Sequence, residues 1–189
     1  MGGTFDPIHL GHLRAAECAR DALGLELVLF VPSGIPPHRS RPASPALDRF
    51  AMVCLATAGH DGFSVSDAEL TRAGPSYTVD TVRGLLRDRP GDSISVIVGS
   101  DTFPEMWTWK DPKTLFSLCS VAVVLRPGCT RRPIGARRGG PGPRVLRVPG
   151  PALPVAATTI RRRVREGRSV RYLVPDAVAE YIGKRGLYR

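Results

Sequence analysis

The sequence predicts an α/β fold, Rossmann-like and doubly wound, with a mostly parallel sheet and helices on both faces. Three observations carry that expectation. Nearly continuous apolar runs of strand length recur at Leu25 to Val31, Ile94 to Val98 and Val121 to Leu125, as strands buried on both faces require. Segments with helical apolar spacing separate them, such as the one carrying Leu13, Ala16, Ala19 and Leu23. The length of 189 residues suits one domain spanning residues 1–189.

The chain opens with MGGTFDPIHLGH. Gly2 and Gly3 permit backbone angles and close ligand approaches that a Cβ forbids, and Pro7 keeps the turn from becoming helix too early. His9 and His12 stand at i and i+3 on one face of a helix start, where N–H groups and the macrodipole attract anions. A phosphate-binding turn is the expectation. The first helix spans Leu10 to Leu23, and the strand Leu25 to Val31 is closed by Pro32.

The loop Ser33 to Pro45 is proline-rich and places His38 and Arg39 after a strand end, a usual ligand-binding position in α/β proteins. A second helix is expected over Leu47 to Ala58, with Ser44 as N-cap and Pro45 in its first turn. Phe63 to Leu70 alternates as a short strand would. The segment Gly74 to Thr81 leads into a helix over Val79 to Arg87, which Ser76 or Thr78 can cap. Tyr77 there can either pack on the core or line a ring-binding pocket.

Ile94 to Val98 runs into Gly99-Ser100-Asp101, which sets a carboxylate at the sheet edge, either as a functional group or as an N-cap. One of Trp107 and Trp109 could stack on a heteroaromatic ring while the other is core. After Arg126-Pro127-Gly128 the chain turns rich in arginine, glycine and proline. A mobile loop is expected at about 129–154, interrupted by one short strand, Val145 to Val148. A C-terminal helical part follows at about 157–189. Its first helix covers Ala156 to Arg168, with Thr158, Thr159 and Arg161 at its start as a second anion site, and its second covers Pro175 to Lys184.

The charge balance is 27 Lys and Arg against 17 Asp and Glu, a net +10, and seven arginines with no acid lie between Arg126 and Arg147. Such a surplus favours nucleic acid or nucleotide phosphates. Cys18, Cys54, Cys119 and Cys129 lack any zinc-like spacing and read as reduced thiols. There is no apolar run near the roughly 18 residues that span a bilayer and no signal-peptide pattern. A cytoplasmic protein is expected.

Taken in order, GGTFDPIHLGH (2–12), PPHR (36–39), PSYTVDT (75–81), VGSD followed by tryptophan (98–109), RPG (126–128), ATTIR (157–161) and YIGKRGLYR (181–189) resemble the bacterial nicotinate-mononucleotide adenylyltransferases. The H-x-G-H element alone marks only the nucleotidyltransferase superfamily. The resemblance implies transfer of the adenylyl group of ATP to nicotinate mononucleotide, giving deamido-NAD and pyrophosphate in NAD biosynthesis. It implies that His9 and His12 hold the ATP phosphates, His12 as principal catalytic group, and that Arg161 and Thr158 meet the β- and γ-phosphates. Gly2, Gly3, Thr4 and Phe5 would run along the nucleotides. Tyr77, Thr78, Gly99, Asp101 and Trp109 would serve the nicotinate side, with His38, Arg39 and Arg126 as supporting contacts.

Since a phosphate already is a nucleophile, positioning and charge neutralisation suffice for this reaction. Mg2+ is expected to come with ATP, held mainly by its phosphates, and no protein metal site is expected. The expected partners are the two small-molecule substrates, with a homo-oligomer possible and neither membrane nor nucleic acid involved. Pantetheine-phosphate adenylyltransferase is the related alternative, and nucleic-acid binding by the arginine clusters is the alternative of another class.

Two departures from the family pattern stand out. Ala156 occupies a position where the family usually has serine. The apolar first strand that precedes GGTF in the family is missing here, since Met1 directly precedes Gly2. A native chain with a few more apolar residues is therefore expected, or else a gap beside Val28 and Val96.

Overall fold

The computed structural model describes residues 1–37, 42–125, 143–150 and 153–189. A two-residue strand β1 (Gly2–Gly3) leads through the opening turn to helix α1 (Leu10–Leu23). Then follow β2 (Val28–Pro32), α2 (Ala46–Thr57), β3 (Phe63–Val65), α3 (Thr78–Asp88) and β4 (Ser95–Gly99). A 3₁₀ turn (Phe103–Thr108), α4 (Pro112–Leu118), β5 (Ser120–Val124), β6 (Val145–Val148), α5 (Ala157–Arg165) and α6 (Asp176–Arg185) complete the chain.

All ladders are parallel. β2 pairs with β1, Gly2 opposite Val31, and with β3, Val28 opposite Phe63. β5 pairs with β4, Val96 opposite Val121, and with β6, Val121 opposite Val145. Since β1 lies beside β4, the two three-stranded sheets read together as β3-β2-β1-β4-β5-β6. That order reverses direction between β1 and β4, where α/β sheets open a ligand crevice.

Alternation along the central strands sorts the core into two layers. Ile97, Ala122 and Val124 face the layer that holds Ala16 and Ala19 of α1, Met52 and Val53 of α2, Ile160 of α5 and Val178 and Ile182 of α6. Val96, Val98, Val121 and Val123 face Val79 and Val82 of α3, Phe103 and Met106 of the 3₁₀ turn, and Leu115 and Phe116 of α4. Helices therefore cover both faces, as expected. No helix among the described residues is long and apolar enough to cross a membrane.

At the expected gap, Val28 and Val96 are both buried. Residues 1–3 fill the sheet centre: Met1 packs on the first layer, its amino group donates to Leu29 O at 2.6 Å and its carbonyl accepts from Val31 N at 3.0 Å.

Several local expectations are corrected. Phe63 to Leu70 is strand only as far as Val65, because Asp67 O takes the N–H groups of Leu70 and Thr71 and turns the chain away from β2. Pro45, not Ser44, stands at the α2 N-cap, and Tyr77, not Ser76 or Thr78, stands at that of α3. Both serine hydroxyls bond to distant chain instead. The 3₁₀ turn follows Thr102, so Asp101 is not its N-cap. The expected mobile loop at about 129–154 lies largely outside the described residues, its described parts being 143–150, which include β6, and 153–154; His38, Arg39, Arg126 and Cys129 lie outside them too.

Candidate active site

The opening turn folds back on itself. Phe5 is buried with φ of 49°, a left-handed conformation costing a non-glycine residue on the order of 1–3 kcal/mol. A Cβ on Gly3 would press on its ring at 3.0 Å, so glycine there lets the ring sit close to the strand. That ring packs edge-on against His12 at 5.2 Å between centroids.

His9 is the extended N-cap of α1. His12, three residues on, stacks on the His9 ring at 3.6 Å and accepts the His9 backbone N–H on Nδ1 at 3.2 Å. An accepting Nδ1 leaves the ring proton on Nε2. The His12 ring is thereby fixed in orientation and tautomer.

Fewer N–H groups are open at this helix start than the sequence suggests. Leu10 N–H is taken by Leu173 O at 2.9 Å, and those of His12 and Leu13 by His9 O at 2.9 and 3.3 Å.

The second predicted anion site converges on the first. A Cβ on Gly11 would meet the His9 ring at 3.0 Å and Val155 O at 3.5 Å, so the segment leading into α5 passes directly over the start of α1. Ala156 is extended and gives no side-chain cap. Thr158 and Thr159 follow it exposed in the first turn. Arg161 Nη1 donates to Asp6 O at 2.6 Å. A guanidinium, a helix start and two imidazoles therefore meet at one turn.

Three polar groups that the sequence reading did not single out hold this turn. Asp6 is buried, and its Oδ2 accepts from Ala43 N at 2.7 Å while Oδ1 accepts from Ser44 Oγ at 2.5 Å and Tyr188 Oη at 2.7 Å. Tyr188 holds φ of 66°, and burial pushes its phenol far above the ordinary range, keeping it a neutral donor. Arg49, 1% exposed, donates to Thr4 O at 2.7 Å and Gly34 O at 3.1 Å. Burial pulls its guanidinium below the usual arginine range, opposed by the Asp6 carboxylate. The signals were Asp6 within GGTFD and Tyr188 within the LYR ending, but their partners lie far along the chain.

From Gly34 the contacts continue to the other expected half. Ser76 Oγ accepts from Gly34 N and Ile35 N at 3.0 and 3.3 Å, and a Cβ on Gly34 would overlap Glu69 O at 2.3 Å. The chain Thr4, Arg49, Gly34, Ser76 thereby fixes Tyr77 relative to the turn. Tyr77 is half-buried, and Lys110 Nζ lies 4.5 Å above its ring. Trp107 packs edge-on against Phe116 at 4.7 Å, and Tyr77, Trp107 and Trp109 all pack against the second core layer. Trp109, also half-buried, immediately precedes the lysine that covers Tyr77. Gly99 ends β4, and Asp101 beyond it is exposed.

Residues 1–163 match the cytidylyltransferase-like family. A Thermomicrobium roseum protein named probable nicotinate-nucleotide adenylyltransferase is 44% identical, covering all of this chain and 90% of its own. A Streptomyces coelicolor protein of the same name is 46% identical over all of this chain and 99% of its own. In fold, the Plasmodium falciparum nicotinic acid mononucleotide adenylyltransferase solved with NaAD superposes with a TM-score of 0.79 at 15% identity, covering 99% of this chain and 94% of that one. With a family model matched over residues 1–163 and full-length relatives of one name at 44% and 46% identity, this chain belongs to the cytidylyltransferase-like family and, within it, to the nicotinate-nucleotide adenylyltransferases.

Proposed function

We propose that the protein transfers the adenylyl group of ATP to nicotinate mononucleotide, releasing pyrophosphate and forming deamido-NAD in NAD biosynthesis. The observation that carries this reading is the meeting of the α1 and α5 starts at the opening turn, where Arg161 bonds to Asp6 O at 2.6 Å beside the stacked His9 and His12. It is a site for a chain of phosphates.

A phosphate oxygen of the mononucleotide attacks the α-phosphorus of ATP, the bond from that phosphorus to the bridging oxygen breaks, and pyrophosphate departs with the electron pair. The nucleophile needs no base. The Nε2–H of His12, whose other nitrogen is held by the His9 backbone, donates to the α-phosphoryl oxygens as charge gathers there. His9 supports it by stacking. Arg161 and Thr158, with the backbone N–H groups opening α5, receive the leaving pyrophosphate, and the missing hydroxyl at Ala156 is compensated by these donors.

Gly2, Gly3, Thr4 and Phe5 run along the nucleotides. On the acceptor side Trp109 stacks on the pyridine, with Tyr77, Thr78, Gly99 and Asp101 around the mononucleotide and backbone N–H groups favouring the nicotinate carboxylate. His38, Arg39 and Arg126 are supporting phosphate contacts. Mg2+ comes with ATP and supplies charge neutralisation on its phosphates. The donors of the turn, imidazole, guanidinium and hydroxyl, suit phosphate rather than a bare metal ion. Residues 1–189 act as one nucleotidyltransferase domain, in the cytoplasm, as a monomer or homo-oligomer.

Pyrophosphate release from ATP, compared with nicotinate mononucleotide, nicotinamide mononucleotide and phosphopantetheine as acceptors, tests the reading. Release should be fastest with the nicotinate form. Preference for phosphopantetheine would assign the chain to the related transferase instead, and no release with any acceptor would refute an adenylyltransferase.

A further inference from the structure

The last turn of the chain returns to the first. After α6, which is docked on α2 by Tyr181 Oη and Arg185 Nε on Asp48 Oδ1 at 2.8 and 3.1 Å, the chain reverses at Gly186 in the left-handed conformation and sends Tyr188 to Asp6. Tyr188 Oη and Ser44 Oγ, 3.1 Å apart, each give their single proton to the same carboxylate oxygen at 2.7 and 2.5 Å. The backbone carbonyl of that same Asp6 faces Arg161 Nη1. Tyr188 is thus connected to the guanidinium through Asp6, which lies 182 positions before it in the sequence.

We infer that Tyr188 is a positioning residue: its hydroxyl fixes Asp6 so that the Asp6 carbonyl aims Arg161 at the departing phosphates. This inference rests on the adenylyltransferase reading for its kinetic consequences. The geometry makes the tail a strap drawn across the phosphate side, with the left-handed Tyr188 backbone held in place for the sake of the hydroxyl it delivers.

A double-mutant cycle of Tyr188→Phe and Arg161→Ala tests it, reading kcat, KM for each substrate, and the Kd of inorganic pyrophosphate for the free protein. Tyr188→Phe keeps the buried ring and should lower kcat and weaken pyrophosphate binding about tenfold, with KM for the mononucleotide unchanged. In the Arg161→Ala background the same change should cost nothing further. Ser44→Ala, which removes the other hydroxyl on that oxygen, should act in the same direction and serves if Tyr188→Phe does not fold.

Wild-type kcat and pyrophosphate affinity in both single hydroxyl variants, or losses that simply multiply with that of Arg161→Ala, would overturn the assignment. If the coupling appears in pyrophosphate binding while the wild-type protein releases none from ATP and nicotinate mononucleotide, the strap stands and the functional reading fails.

Discussion

Around the opening turn, the groups that hold the chain are buried and reach far along the sequence: Asp6 with Ser44 and Tyr188, and Arg49 with Thr4 and Gly34. Around Tyr77 the buried Ser76 hydroxyl ties the loop to Gly34 and Ile35, and the charged links are ion pairs nearer the surface, Lys110 on Asp80 at 2.9 Å and Arg83 on Asp111 at 3.2 Å. Buried hydrogen bonds to charged groups are strong and fixed, whereas surface ion pairs are worth little and are screened by salt. The proposed phosphate side is thereby preorganised, as stabilising charge in a transition state demands. The proposed ring side relies more on ion pairs near the surface, and the proposed stacking of a flat ring needs less precision.

If that division is right, substitutions on the two sides should differ in kind as well as size. His12→Ala removes the oriented donor and should lower kcat by about 10²–10³, measured at saturating substrates. Arg49→Met leaves two inward-facing carbonyls without their donor and should cost about 2–4 kcal/mol of stability in urea unfolding. Arg49→Lys should recover little of that loss, since one ammonium cannot reproduce the fork. Trp109→Ala should raise KM for the mononucleotide about tenfold through lost stacking while KM for ATP stays put. Lys110→Ala should change stability by less than about 1 kcal/mol, and that small effect should vanish in high salt.

A pH prediction comes from Glu69, which sits between the two sides. Burial raises its carboxyl above the ordinary 4.5, although Thr81 Oγ1 donates to it at 2.6 Å. The folded state then binds the proton more tightly than the unfolded one, so the stabilisation is complete below the ordinary value and lost as pH rises through the folded value. Thermal melts of Glu69→Gln against wild type should show the variant gaining relative stability as pH climbs from 4.5. Parallel curves would contradict the burial argument.

How much of this was legible depended on the range of the interaction. Helix α1 was readable to the residue, Leu10–Leu23, because its apolar spacing is local. The two-layer core was readable because Val96 to Val98 and Val121 to Val124 are apolar on both faces. Ser44 and Ser76 misled because a serine before a helix looks the same whether its hydroxyl caps the helix or meets Asp6 and Gly34 from 38 and 42 positions away. Of the site, His9, His12 and Arg161 were found through motifs, while Arg49 looked like one polar position in an amphipathic helix. Nothing local marks a buried arginine whose ligands are backbone carbonyls.

The central claim is that the phosphate side does the chemistry and the ring side does the selecting. It is tested most directly by the ratio of kcat/KM for nicotinate over nicotinamide mononucleotide, measured in wild type and in His12→Ala. The rates should fall about 10²–10³ while the ratio stays the same. A ratio that collapses with the rate would show that the histidine takes part in choosing the acceptor and that the two sides are not separate.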